Sequence, residues 1–397
     1  MKTTNHLDNM EFKTRGVVTV AIAHAVHDTY TGFFPALLPL LIDRFSMNNT
    51  AAGILSIFMR FPSLLQPIIG RLADRKNLRN FIILSPAITG SAMSLLTISP
   101  NYGFLIFLLV ITGISTSFLH ALGPVIGSKF SGDQMGKGMS IWMVGGELGR
   151  ALGPLVTVTA LGYMTMENFP WVMLAGLFTS IMLYFKFKDI TTQTQTEQVS
   201  ISWKQEIPKI RSVLLPLMLI IITRAMASSA LTIFLPTYLT NQDVKFWVSG
   251  AALTIFEVSG MTGAFVIGSL SDRYGRYRML LISTILTPIL MVLFLLSTTA
   301  WKIPLLILLG FSLIAVVPVI MAIVMDNFSE NRSFANGIYM AVSFVIGSIA
   351  SILLGFLSDL FGMQTTFMIS AGLVVLGLPI IIWLAKSKKR SKELKTS

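Results

Sequence analysis

Apolar residues along this chain fall into about twelve runs of roughly 18 to 28 positions separated by short polar breaks, and about 20 apolar residues in a helix cross a bilayer. The runs occupy 17 to 42, 50 to 70, 80 to 98, 102 to 126, 138 to 161, 168 to 185, 212 to 240, 247 to 269, 279 to 298, 302 to 325, 334 to 357 and 365 to 385. Each predicts one membrane-crossing helix. A transmembrane barrel would alternate polarity over strands of about 9 to 11 residues, and that pattern is absent. The expected fold class is all-α, with twelve transmembrane helices.

Composition removes the soluble alternatives. Of 397 residues, 53% are apolar and 12% charged, whereas a soluble domain carries roughly a quarter charged residues. No cysteine is present, so a disulfide framework and a thiolate metal site are both excluded. No metal-binding, phosphate-loop or Ser-His-Asp pattern appears, so neither an enzyme nor a cofactor is expected. The first 16 residues are polar and lack a small-residue cleavage site, which reads as a retained first helix rather than a secretory signal.

The net charge of +12 would suggest nucleic acid if the basic residues were clustered in a soluble domain. Instead, 24 of the 30 Lys and Arg lie in the two tails and in every second loop. The positive-inside rule then places both termini in the cytoplasm. The basic tail Lys386 to Lys395 reads as an orientation anchor on anionic lipid. No nucleic-acid partner is expected, and the protein is expected to work as a monomer in the bilayer.

An internal repeat organises the spans. Gly70-Arg71-Leu72-Ala73-Asp74-Arg75 follows span 2, and Gly268-Ser269-Leu270-Ser271-Asp272-Arg273 follows span 8, at an offset of 198 residues. Gly138 and Gly337 open spans 5 and 11 at an offset of 199, and Pro39 and Pro236 close spans 1 and 7 at an offset of 197. A duplicated six-helix unit follows, with residues 1–186 and 212–397 as the halves and 187–211 as a cytoplasmic linker. Parallel repeats of this kind hold a substrate path between them near the midplane.

Nine ionisable residues interrupt the apolar spans: His24, His27, Asp28, Arg60, His120, Glu147, Arg150, Arg224 and Glu257. At about 2.5 to 3.5 kcal/mol per charge in mid-bilayer, six charged groups facing lipid would cost roughly 15 to 20 kcal/mol. A whole fold is stable by about 5 to 15 kcal/mol. These groups must therefore pair or line a wet cavity.

At about 100° per residue, His24, His27 and Asp28 share an arc of about 100° on span 1. A carboxylate beside a histidine draws its titration toward working pH, which makes this face a candidate proton carrier. Neutral rings bonded to backbone carbonyls are the alternative. Counting back 12 residues from Pro39 and Pro236 reaches His27 and Arg224, so these lie at equivalent depth in the two halves. Arg60 and Glu257 match in the same way on spans 2 and 8. Glu147 and Arg150, three apart, form either an internal salt bridge or two separate sites.

The expected proton-coupling set is Asp28, His24, Glu147, His27, His120 and Glu257. Arg150, Arg224, Arg60 and Tyr30 are the expected substrate contacts. Three arginines would balance three carboxylates and favour an anionic or neutral organic substrate gripped by guanidinium groups. On span 5, Gly145, Gly149 and Gly153 at four-residue spacing form a smooth ridge on which another helix can pack closely, and Pro154 invites a bend. Glu147 and Arg150 fall on the other side of that helix.

The repeated G-x-L-x-D-R element is the loop signature of the major facilitator superfamily, and the whole chain resembles that family. The segments His24 to Leu41, Ser63 to Arg75 and Gly138 to Leu155, with His120 in span 4, resemble its fosmidomycin-resistance branch of bacterial efflux carriers. His120-Ala121 stands where that branch has His-Pro, and span 4 lacks the Arg-x-x-x-Gly element of many drug-proton antiporters. The resemblance implies two pseudo-symmetric six-helix bundles and drug-proton antiport by alternating access. It further implies that Gly70, Asp74 and Arg75 latch onto span 11 in the outward-facing state, and that Gly268, Asp272 and Arg273 do the same toward span 5. It also makes the span 5 ridge and Pro154 the antiporter signature. Proton symport of an anionic metabolite, a channel, and a receptor or scaffold are the competing readings.

Overall fold

The computed structural model describes residues 12–188, 190–191, 210–327 and 332–396. The apolar runs fold into twelve spans, and no strand occurs among the described residues. Ten of the spans are long and apolar enough to cross a membrane. The other two are spans 1 and 5, which hold most of the ionisable groups within the spans. Large apolar side chains such as Trp171, Phe178 and Phe185 lie exposed around the outside, as a lipid-facing surface requires.

Several spans are interrupted where the sequence weakens the helix. Span 1 runs Thr14–Thr31 and resumes at Phe33–Arg44. The break is Gly32, whose missing side chain admits the Arg150 carbonyl and Gly153 of span 5. Span 2 runs Asn49–Arg60, tightens into a 3-10 turn over Phe61–Leu65, and resumes at Gln66–Arg75. Pro62 and Pro67 have no backbone N–H to donate at that point. Span 7 ends at Thr232 and restarts with Leu235–Thr240, whose second residue is Pro236.

The glycine ridge seals spans 1 and 5 together. A Cβ at Gly145, Gly149 or Gly153 would collide with the backbone carbonyl of Ala21, Ala25 or Thr29, respectively. Two sets of residues at four-residue spacing thus mesh along one seam. Glu147 and Arg150 lie off this seam, as the helical arithmetic predicts.

Three apolar cores show how the halves sit. One core joins Phe33, Phe34 and Leu37 of the first half to Phe234, Leu235 and Tyr238 of the second. It lies toward the face opposite the termini. Toward the tail face the core divides: Val20, Ile82 and Leu122 pack within the first half, and Leu217, Leu280 and Val319 within the second. The halves are therefore joined at one face and separated at the other, leaving a cavity open on the tail side.

Polar contacts fasten the closed face. Asp359, at the end of span 11, accepts from the backbone N–H groups of Asn49 (2.8 Å) and Thr50 (2.9 Å) and from both their side chains. A carboxylate here satisfies the otherwise unpaired donors that open span 2. Gly355 brings the two helices together, since a Cβ there would strike the Asn49 carbonyl. Spans 5 and 8 also join there, through Leu155 N–H to Thr254 Oγ1 (3.1 Å) and Trp247 Nε1 to Thr159 Oγ1 (3.3 Å).

The tail-side motifs stand apart in this conformation. A Cβ at Gly70 or Gly268 would meet nothing within 4 Å, so neither glycine serves close packing here. Asp272 pairs with Arg276 (3.3 Å), which also pairs with Asp326 (3.0 Å). Arg273 lies over the ring of Tyr274 at 5.4 Å. The contact expected between Asp272, Arg273 and span 5 is therefore not made among the described residues in this conformation. Arg75 is exposed, and the Asp74 side chain lies outside the described residues.

Candidate functional site

Span 1 delivers its polar arc into the first half, where spans 4 and 5 meet it. His24, His27 and Asp28 are buried, and the His120 side chain is about one-third exposed toward the cavity. His24 Nδ1 lies 2.9 Å from the Trp142 carbonyl. A carbonyl only accepts, so Nδ1 carries a hydrogen. The ring stacks on Trp142 with centroids 4.0 Å apart. Gly146 makes the fit possible, because a Cβ there would overlap the imidazole.

Three ring nitrogens then converge on one carboxylate. His27 Nδ1 lies 2.8 Å and His120 Nε2 3.5 Å from Asp28 Oδ1, while His24 Nε2 lies 3.2 Å from Oδ2. His24 is bonded to a carbonyl through one nitrogen and faces the carboxylate with the other, so it has a contact from each of the two readings of the histidines. The ring nitrogens and carboxylate oxygens of His24, Asp28 and His120 that face one another all lie within 4.8 Å.

A second group bridges the halves. Arg150 pairs with Glu147 on its own helix and, at 3.5 Å, with Glu257 Oε2 of span 8. The two alternatives for Glu147 and Arg150 thus combine: the internal salt bridge forms, and the guanidinium also reaches across. Arg60 lies in the field of Arg150 and Glu257, at the break in span 2 and beside Gly347 of span 11. Its guanidinium has no hydrogen-bond or ion-pair partner among the described residues. Asp28 lies in the field of Arg150, and Glu147 in that of His24, so the two groups act as one electrostatic unit.

Two expected substrate contacts lie elsewhere. Arg224 is buried inside the second half. It donates to Thr284 Oγ1 (3.3 Å), Ser283 Oγ (3.2 Å) and the carbonyls of Ser312 (3.2 Å) and Leu313 (3.3 Å). Its depth is as expected, but its direction is away from the cavity. Tyr30 is likewise buried: its hydroxyl donates to the Val172 carbonyl and accepts from Gly176 N–H, both at 2.8 Å. It ties span 1 to span 6 and leaves no face for substrate.

Removing Arg224 from the site changes its charge. Among the described residues Asp28, Glu147 and Glu257 face only Arg60 and Arg150, so by formal charge the unit has one more carboxylate than guanidinium. A single proton balances it. The neutral resting cavity expected from three arginines is thereby corrected.

Asp359 was not anticipated among the functional residues. Its signal was present in the sequence, since Gly355-Phe356-Leu357-Ser358-Asp359 is a third G-x-L-x-D element. It lacks the following arginine and ends span 11 rather than following the second helix of a half.

Comparison with known proteins agrees with this architecture. The sequence model of the Major Facilitator Superfamily matches residues 20–330 and 217–397. The chain is 21% identical over 369 residues to the fosmidomycin resistance protein of Escherichia coli (strain K12), covering 90% of each. It is 24% identical over 376 residues to the multidrug resistance protein MdtG of Salmonella arizonae, covering 89% of this chain and 91% of that one. Among solved structures, a bacterial homolog of the human lysosomal transporter Spinster, inward-facing and unoccupied, superposes with a TM-score of 0.77 at 12% identity, covering 94% of this chain and 97% of that one. The nucleoside transporter NupG gives a TM-score of 0.74 at 14% identity, covering 93% of this chain and 99% of that one.

Proposed function

The chain belongs to the Major Facilitator Superfamily, and from that premise we propose that it is a proton-coupled secondary carrier that exports a small anionic or neutral organic molecule by alternating access. The observation that carries the reading is the convergence of three imidazole nitrogens on Asp28 within 3.5 Å, beside an ion pair that joins the two halves. Protons taken up by this cluster change the charge felt by Arg150. Arg150 holds Glu257 across the cavity, so proton occupancy biases how the halves sit. A ligand or proton shifts such an equilibrium only by its differential affinity for the two states.

In this reading the tail face is cytoplasmic, the protein is a monomer in the bacterial inner membrane, and the cavity is loaded from the cytoplasm. Arg60, with no partner of its own among the described residues, is the first guanidinium available to a carboxylate, phosphate or phosphonate. The names of the resistance-protein relatives support export and suggest fosmidomycin, a phosphonate, as the first probe.

One observation favours uptake by proton symport instead. The unit carries excess negative charge, so an added proton improves the site for an anion, and like direction of proton and anion follows. Inside-out vesicles with an acid lumen separate the two. Fosmidomycin added outside discharges the proton gradient if exported in exchange for protons, and leaves it unchanged if the carrier moves both together toward the cytoplasm. Expression in a susceptible host raises resistance in the first case only. No response of either kind to any member of a panel of anionic drugs and metabolites would refute the carrier reading.

A further inference from the structure

The side of His27 that faces away from Asp28 meets a chain of hydroxyls. Ser115 Oγ donates to the Ser85 carbonyl (3.1 Å), Thr89 Oγ1 donates to Ser115 Oγ (2.9 Å), and His27 Nε2 lies 2.9 Å from Thr89 Oγ1. Each hydroxyl has one hydrogen to give. With the Ser115 hydrogen on the carbonyl and the Thr89 hydrogen on Ser115, the Thr89 oxygen can only accept from His27.

The second half repeats the same residue positions. Ser283, Thr287 and Ser312 stand at offsets of 198, 198 and 197 from Ser85, Thr89 and Ser115, and Arg224 stands 197 after His27. Ser312 Oγ donates to the Ser283 carbonyl (3.2 Å), and Thr287 Oγ1 lies 2.5 Å from Ser312 Oγ. Thr287 Oγ1 also donates to the Ser283 carbonyl (2.8 Å), and Arg224 donates to Ser283 Oγ, Thr284 Oγ1 and the Ser312 and Leu313 carbonyls rather than to Thr287. The residue set is therefore duplicated, but the direction of hydrogen donation at His27 follows from the first half's own hydrogen bonds.

We infer that Thr89 and Ser115 are positioning residues that hold a hydrogen on His27 Nε2, so that the only exchangeable proton of His27 is the one at Nδ1, shared over 2.8 Å with Asp28 Oδ1. His27 and Asp28 then take up and release a proton as a pair. When that proton leaves, two bare lone pairs face each other and the pair must separate. Proton release is thereby linked to movement within span 1. The other groups facing the pair are His24, His120 and Arg150, with Glu147 next to His24. Thr89 and Ser115 touch none of these.

The inference rests on the proton-coupled reading for its consequence, but the tautomer is measured without transport, so the two fail separately. The chain has four histidines. Selective 15N labelling of their rings in lipid nanodiscs, with H6Q, H24Q and H120Q to assign signals by elimination, reports which nitrogen of His27 carries hydrogen. The expected result is a protonated Nε2 across the titration, with Nδ1 alone changing. In S115A the Thr89 hydrogen is freed to turn toward His27, and Nε2 is expected to become the bare nitrogen; T89S should keep the wild-type pattern. A bare Nε2 in the wild-type protein, or identical patterns in wild type and a folded S115A, would overturn the inference. The wild-type spectrum decides even if S115A does not fold.

Discussion

The two halves keep the same hydroxyl positions and put different chemistry beside them. In the first, His27 bridges Thr89 to Asp28 and so to the cavity; in the second, Arg224 bypasses Thr287 and sets a permanent charge against four neutral oxygens of Ser283, Thr284, Ser312 and Leu313. The seams differ as well. The span 5 glycines that mesh with span 1 have Phe344, Ser348 and Ile352 as their counterparts at an offset of 199. Duplication therefore preserved a scaffold while the buried histidines and their carboxylate became concentrated in one copy. The second half contributes Glu257 to the site and Asp359 to the closed face.

The largest effect expected from this asymmetry is at the seam. Gly149→Leu places a side chain where even a Cβ would strike the Ala25 backbone, and overpacking on rigid backbone costs about 3 kcal/mol or more. Loss of monodisperse protein after detergent extraction is the expected outcome, whereas Ser348→Leu in the second half should still be recovered folded. Equal loss in both would show that the seams do not differ.

Next in size is Arg224→Ala. It leaves a cavity and strands four acceptors, for an expected loss of roughly 2 to 4 kcal/mol, read as a lowered thermal midpoint. The proton response of the protein that survives should be unchanged. A shifted proton response would return Arg224 to the transport site.

Asp359→Ala removes four hydrogen bonds at the closed face, two of them to backbone donors of span 2. Exposure keeps the effect modest, at about 1 to 2 kcal/mol, which is roughly a five- to thirtyfold change in the balance between forms with this face closed and open. Because the chain has no cysteine, a single pair of introduced labels on spans 2 and 11 can report the distance by electron spin resonance. A longer distance across that face is expected. Trp247→Phe loses only one exposed hydrogen bond to Thr159 and should shift the same distance distribution little, by less than about 0.5 kcal/mol.

Much of this was legible in the sequence. Run lengths located the twelve spans, and helical spacing alone put His24, His27 and Asp28 on one face and turned Glu147 and Arg150 away from the glycine ridge. Depth was legible too, since the proline offsets matched His27 with Arg224. The azimuth was not. Whether Arg224 faces the cavity or its own half depends on Ser283 and Ser312, which are two and three spans away and read in the sequence only as ordinary serines in apolar runs. Tyr30 failed for the same reason, because its partners are backbone groups of span 6. Asp359 was missed because motif reading attached meaning to a loop position, whereas the physical requirement is a carboxylate near unpaired N–H donors at a helix start.

The central claim is that Asp28 and its histidines form the proton station of a carrier. The most direct measurement is the discharge of an established proton gradient in inside-out vesicles by fosmidomycin, or by whichever anion of the panel is active, compared between wild type and Asp28→Asn at equal membrane abundance. The account predicts discharge by the wild type and none by the variant, while the variant still binds the probe in a thermal-shift assay. Equal discharge by both proteins would contradict it.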